Sequence, residues 1–70
     1  MTITKLNKQA FHDTQYNNYP IGAVYYVQEL DDTTKIYHGL IITTQYQLFA
    51  EFTRLDDLET WVAREFPSMP

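Results

Sequence analysis

The sequence predicts an α+β fold: an antiparallel meander of three strands, four if the N-terminal segment adds one, with a C-terminal amphipathic helix packed on one face. Three observations carry this. β-Branched and aromatic runs at 21–30, 35–43 and 47–52 are separated by only a few polar residues. Loops so short pair strands antiparallel, since a parallel crossover needs about a dozen residues or more. The apolar period then changes from two to 3.6 across LDDLETWVAREF (55–66). Composition supplies a core: 44% of the residues are hydrophobic, and six Tyr, four Phe and one Trp bring large burial areas at little rotamer cost.

Residues 1–19 are polar and admit two readings. TKLNKQAFHDTQY suits a short helix with Thr4 as N-cap and Leu6 and Ala10 at i, i+4. It equally suits a first edge strand beginning at Ile3. YNNYP ends either element, because paired Asn before an X–Pro bond favours neither helix nor ladder. IGAVYYVQEL (21–30) is the first clear strand, DDTT (31–34) a turn of short polar side chains, and KIYHGLIIT (35–43) the second strand. TTQYQ is a weaker turn signal before QLFAEF (47–52), the third strand.

Alternation sorts the faces. Val24, Tyr26 and Leu30 oppose Ala23, Tyr25 and Val27; Ile36, His38, Leu40 and Ile42 oppose Tyr37, Gly39 and Ile41; Leu48, Ala50 and Phe52 oppose Phe49 and Glu51. Both faces are apolar. One meets the C-terminal helix, and the other is too apolar to stay wet, so it lies under the N-terminal segment or against a partner.

The acidic clump in TRLDDLETW (53–61) is a helix start. Leu55, Leu58, Val62 and Phe66 form one stripe with Trp61 at its edge. Thr53 with Asp56, or Asp56 with Glu59, has capping-box spacing. Asp56, Asp57 and Glu59 near the start and Arg64 near the end complement the macrodipole, and Pro67 stops the helix. A catalytic carboxylate pair would need burial to raise a pKa, which a solvated helix start does not offer.

At 70 residues the chain is a single domain with no cysteine, so disulfides and thiolate metal sites are excluded. Nine acids against five bases give a net charge of −4, which disfavours direct nucleic-acid binding. MTITKLNKQA lacks the pattern of a signal or transit peptide, and no run approaches the length of a membrane helix. A cytoplasmic protein without membrane contact is expected.

No GxGxxG, P-loop, HExxH or CxxC motif occurs. His12 and Asp13 are adjacent and so point apart. His38 reads as a packed, hydrogen-bonded residue, and Ser68, the only serine, lies in the tail. Without a nucleophile beside a base, no enzyme, cofactor or metal is expected. The aromatics, by contrast, exceed what a small core needs, with Tyr16, Tyr19 and Tyr46 in loops. The expected contact set is Tyr25, Tyr37 and Phe49 on the sheet, rimmed by Glu29, Asp31 and Asp32. Its expected partner is a protein with a basic surface, such as a complex built to hold nucleic acid. Burial of the second sheet face in a homodimer is the rival expectation.

Strands at 21–30, 35–43 and 47–52 followed by FTRLDDLETWV (52–62) resemble the sheet-plus-helix layout of some very small phage-encoded anti-CRISPR proteins. Residues 1–19 lie outside the resemblance. It implies a stoichiometric inhibitor that occludes a nuclease or RNA-guided complex by surface contact, with no catalytic motif.

Replacing Trp61 by Ala is expected to cost about 3–5 kcal/mol, enough to unfold a domain of this size. Urea or thermal melting checks it, and an unchanged melting temperature would remove Trp61 from the helix–sheet contact.

Overall fold

The computed structural model describes residues 3–65. Along the chain run β1 (Ile3–Lys5), α1 (Lys8–Asn17), β2 (Gly22–Glu29), β3 (Lys35–Ile42), β4 (Gln47–Phe52) and α2 (Leu55–Glu65). The strands form one sheet in the order β1-β2-β3-β4. β1 pairs parallel to β2, and the other two pairs are antiparallel. The fold is α+β as expected, but the sheet is mixed rather than a purely antiparallel meander. The cause is connection length. Leu6–Ile21 is long enough for the crossover that a parallel pair needs, and α1 fills it.

Both readings of residues 1–19 are realised, one after the other. Ile3 opens an edge strand, and the Leu6 N–H extends its pairing by donating to the Tyr25 carbonyl at 2.8 Å. Thr4 lies in β1, so the expected cap moves to Asn7, whose side-chain oxygen accepts from the Ala10 N–H at 2.8 Å. α1 ends at Asn18, which turns left-handed (φ 57°, ψ 41°) and donates its N–H to the Thr14 carbonyl. Asn tolerates that conformation better than most residues.

The predicted alternation sets two cores. On one face Ala23 and Ile41 meet Leu58, Trp61 and Val62 of α2, with Leu48, Ala50 and Phe52 packed around them. On the other, Val24, Tyr26, Leu40 and Ile42 meet Phe11 of α1. That second face is therefore covered over β2 and β3 by the chain's own N-terminal helix, as the first of the two expectations for it had it. Burial runs unbroken from His38 to Ile42, as it must in a strand covered on both sides.

Gly39 lies under α2. A Cβ placed there would collide with Leu58 Cδ1 and come within 2.9 Å of the Trp61 ring at Cζ3. The missing side chain is the seat into which the helix settles. α2 itself starts where the Arg54 carbonyl accepts from the Leu58 N–H at 3.3 Å. Arg54 thus holds the position that capping-box spacing assigned to Thr53 or Asp56. Asp56 and Asp57 occupy the first turn and Arg64 the last, as the macrodipole favours. Phe66, expected to end the apolar stripe, Pro67, expected to stop the helix, and Ser68 lie outside the described residues. Among the described residues no helix is long and apolar enough to cross a membrane.

Gly39→Ala is expected to destabilise by about 1–3 kcal/mol through overpacking, because Leu58 is fully buried and cannot swing aside. The usual gain from removing a strand glycine is smaller than that. Urea unfolding decides it: a midpoint unchanged or raised would mean that α2 does not sit this close.

Candidate functional site

The two ends of the sheet differ in chemistry. Register places Glu29 opposite Lys35 and Tyr37 opposite Phe52, so the β2–β3 turn and the β4–α2 junction share one end. The turn brings Glu29, Asp31 and Asp32; the junction brings Glu51, Asp56 and Asp57. Only Lys35 and Arg54 oppose them there. The other three acids and three bases of the chain cancel, so this end holds the whole net charge of −4. At the junction lies a groove of about 380 Å³ lined by Ile36, Glu51, Phe52, Thr53 and Asp57. Half-buried Ile36 and Phe52 give it an apolar part, and Glu51 and Asp57 are exposed. Arg54 and Asp56 pair at 3.4 Å with both side chains in water, a contact worth little to stability.

Asp31 organises the turn that carries half of these acids. Its Oδ1 accepts from the Thr33 N–H at 2.9 Å, the Thr34 N–H at 2.8 Å and the Thr33 hydroxyl at 3.1 Å. The bond from the Thr33 amide, followed by those from Thr34 and the Thr33 hydroxyl, holds the carboxyl below the ordinary aspartate range.

The opposite end is rich in aromatic residues. Gly22 pairs with Ile42, so the segment entering β2 and the segment leaving β3 emerge together. Gln47, at the start of β4, donates its Nε2 to the Gln15 carbonyl and to Asn18 Oδ1, both at 2.9 Å, which fastens the C-terminal end of α1 to the same place. Tyr16, Tyr19, Ile21 and Tyr46 belong to these three segments, and Phe49 lies further along β4 on its α1 side. Their exposures are 90%, 71%, 43%, 51% and 50%. Their backbones are nonetheless held. The Tyr19 N–H donates to the Thr14 carbonyl at 3.3 Å, and the Tyr46 N–H to Thr43 Oγ1 at 3.0 Å.

No family model matches the chain, and no curated protein or solved structure matches it either.

The expected contact set does not form a single face. Tyr37, Glu29, Asp31 and Asp32 do belong together at the acidic end. Tyr25 is half-buried against the α2 core, its ring 6.5 Å from that of Tyr37. Phe49 lies on the other side of the sheet, 6.4 Å from the Phe11 ring and 6.2 Å from the His38 ring. Pairing explains the split. Tyr25 opposes Gly39 whereas Phe49 opposes Leu40, and adjacent residues of β3 point to opposite faces.

His38 is buried beneath Phe49. Its ring stacks on Tyr26 at 4.4 Å and 8°, Nε2 donates to Gln28 Oε1 at 2.9 Å, and Nδ1 stands 3.5 Å from Glu51 Oε2. It is the packed, hydrogen-bonded histidine that its mid-strand position predicts. His12 is exposed, and Asp13 accepts instead from Gln9 Nε2 at 3.2 Å. Sequence reasoning missed Glu51 and Asp57 as partners of the turn acids. The available signal was strand pairing, which brings the two ends of the β3–β4 hairpin beside the β2–β3 turn.

A depressed carboxyl pKa means that Asp31 stabilises the fold above its unfolded value of about 3.9, and that the contribution is lost as pH falls through the lower folded value. Asp31→Ala is therefore expected to be less stable than the parent at pH 7, with the difference closing below about pH 4. Parallel denaturation curves at pH 7 and pH 3 test this, and a gap of equal size at both would mean that the carboxylate does not hold the turn.

Proposed function

We propose that the chain is a non-enzymatic protein-binding module that covers a basic surface of its partner with its acidic end. In its most specific form it is an inhibitor, encoded by a phage or mobile element, that binds and blocks a CRISPR–Cas complex in the host cytoplasm. The observation that carries the reading is the confinement of the net charge of −4 to the end that also holds the groove. Charge gathered on one end steers encounter with a basic patch and orients the approach, which the same charge spread evenly would not do. The groove suits a Lys or Arg side chain, with its aliphatic stem over Ile36 and Phe52 and its cationic head between Glu51 and Asp57. Leu30, exposed at the tip of the turn, and half-buried Tyr37 add apolar contact beside the acids. A partner built to hold nucleic acid presents such basic surfaces. The resemblance of strand, acidic step and LETW helix to small anti-CRISPR proteins supports the inhibitor form.

The pair Glu51→Gln and Asp57→Asn, made together, is expected to slow association with a purified type I surveillance complex by about tenfold or more at low salt, with the melting temperature little changed. Biolayer interferometry reads the rate. Unchanged association would move the contact off the acidic end. Absence of binding by the parent chain to type I complexes at micromolar concentration would defeat the inhibitor form.

A further inference from the structure

We infer that the outer edge of β4 takes an extended, Lys- or Arg-bearing segment of the basic partner proposed above as an additional antiparallel strand; this rests on that reading and specifies how the partner is held. The edge is open by register. The Thr43 N–H donates to the Tyr46 carbonyl at 2.9 Å, so the bonded pairs of the β3–β4 hairpin begin there. Bonded and unbonded pairs alternate in an antiparallel ladder. The pairing runs without a bulge from Ile42 opposite Gln47 to Tyr37 opposite Phe52, so Leu48, Ala50 and Phe52 bond to β3. The N–H and C=O groups of Gln47, Phe49 and Glu51 point the other way, where β4 has no neighbouring strand among the described residues. Short length, Lys, Pro or a bulge usually keeps such an edge from pairing. β1, at the far side of the sheet, is three residues long and ends in Lys5. β4 has six residues, QLFAEF, and none of these devices.

Ladder and charge together select the occupant. Outward N–H and C=O groups at alternate residues match the spacing of a second extended backbone. Side chains of such a strand stand beside those of β4, about 4.5–5.5 Å away at Cβ. On the α1 side they meet half-exposed Phe49 and exposed Glu51, which lines the groove together with Asp57. On the α2 side they meet Leu48, Ala50 and Phe52 at the margin of that core. A segment with an apolar residue two positions from a Lys or Arg therefore fits Phe49 and Glu51 in register, since opposite charges across a pair are favoured and like charges are not. A second copy of β4 brings no cation, because QLFAEF contains neither Lys nor Arg. Paired about Phe49, it would set Gln47 against Glu51. The Gln47 amide is already held by the Gln15 carbonyl and Asn18 Oδ1, both at 2.9 Å. The net charge of −4 acts in the same direction, repelling a copy and attracting a basic segment.

Amide hydrogen exchange followed by NMR on the full chain tests this, with a blocked hexapeptide, Thr-Arg-Ile-Val-Val-Thr, as the probe. Paired antiparallel, its Arg falls beside Glu51 and its first Val beside Phe49. Without peptide, the N–H groups of Gln47, Phe49 and Glu51 should exchange faster than those of Leu48, Ala50 and Phe52. With peptide at about 1 mM, exchange at the first three should slow by about twofold or more while the other three change little. The same peptide with Glu in place of Arg should bind roughly fivefold more weakly or worse, and Glu51→Gln should narrow that difference. Shifts confined to Ile36, Thr53 and Asp57, with exchange at Gln47, Phe49 and Glu51 unchanged, would overturn strand addition while leaving the acidic end as the contact for a cation. No response at any of these residues would overturn it as well. Equal binding of the Glu peptide would overturn the basic occupant, and protection of the same amides on concentrating the protein alone would give the edge to a second copy instead.

Discussion

Leu58 and Trp61 resting on Gly39 hold α2 at the sheet, and the rest of the arrangement follows from that contact. Only a strand without a Cβ at this point lets an indole and a leucine reach the backbone plane. With α2 seated there, Ala23, Ile41 and Val62 close around it, and the other face of the same central strands is left for α1. β3 is then enclosed on both sides from His38 onward. In so short a chain, covering both faces of a four-stranded sheet uses both helices. What remains for contact with other molecules is the two ends and the edges.

The ends differ in chemistry because the turns of one of them carry six of the nine acids. Every turn at one end brings acids: Asp31 and Asp32 between β2 and β3, Asp56 and Asp57 after β4. Every connection at the other brings tyrosine and amide side chains instead. The acidic end is suited to finding a basic surface at long range, and its groove offers one cationic side chain a place to settle.

Much of the fold was legible from residue pattern. The third strand was predicted at its observed bounds, the first two within a residue at each end, and the helix from Leu55. Period and turn chemistry are local, so a local reading finds them. The parallel β1 was not legible as such, because three residues carry almost no periodic signal and pairing direction depends on the whole Leu6–Ile21 crossover. The candidate site suffered from a related loss. Alternation sorts faces within one strand, but matching one strand's faces to the next requires register, which the turns set. Hence Tyr25 and Tyr37 were rightly grouped while Phe49 belonged to the opposite side. Glu51 and Asp57 went unnoticed because some twenty positions separate them from the turn acids that pairing places beside them.

The whole arrangement depends on α1 and α2 each covering one face of the central strands β2 and β3. Solvent paramagnetic relaxation, measured on assigned side-chain protons of a dilute sample with a soluble gadolinium chelate, tests it most directly. The rings of Tyr16, Tyr19 and Tyr46 should relax strongly, while Phe11, Tyr26, Leu40, Ile42 and Trp61 should be nearly untouched. Strong relaxation at Tyr26, Leu40 and Ile42 would show the second face open, and the account would fail at its foundation.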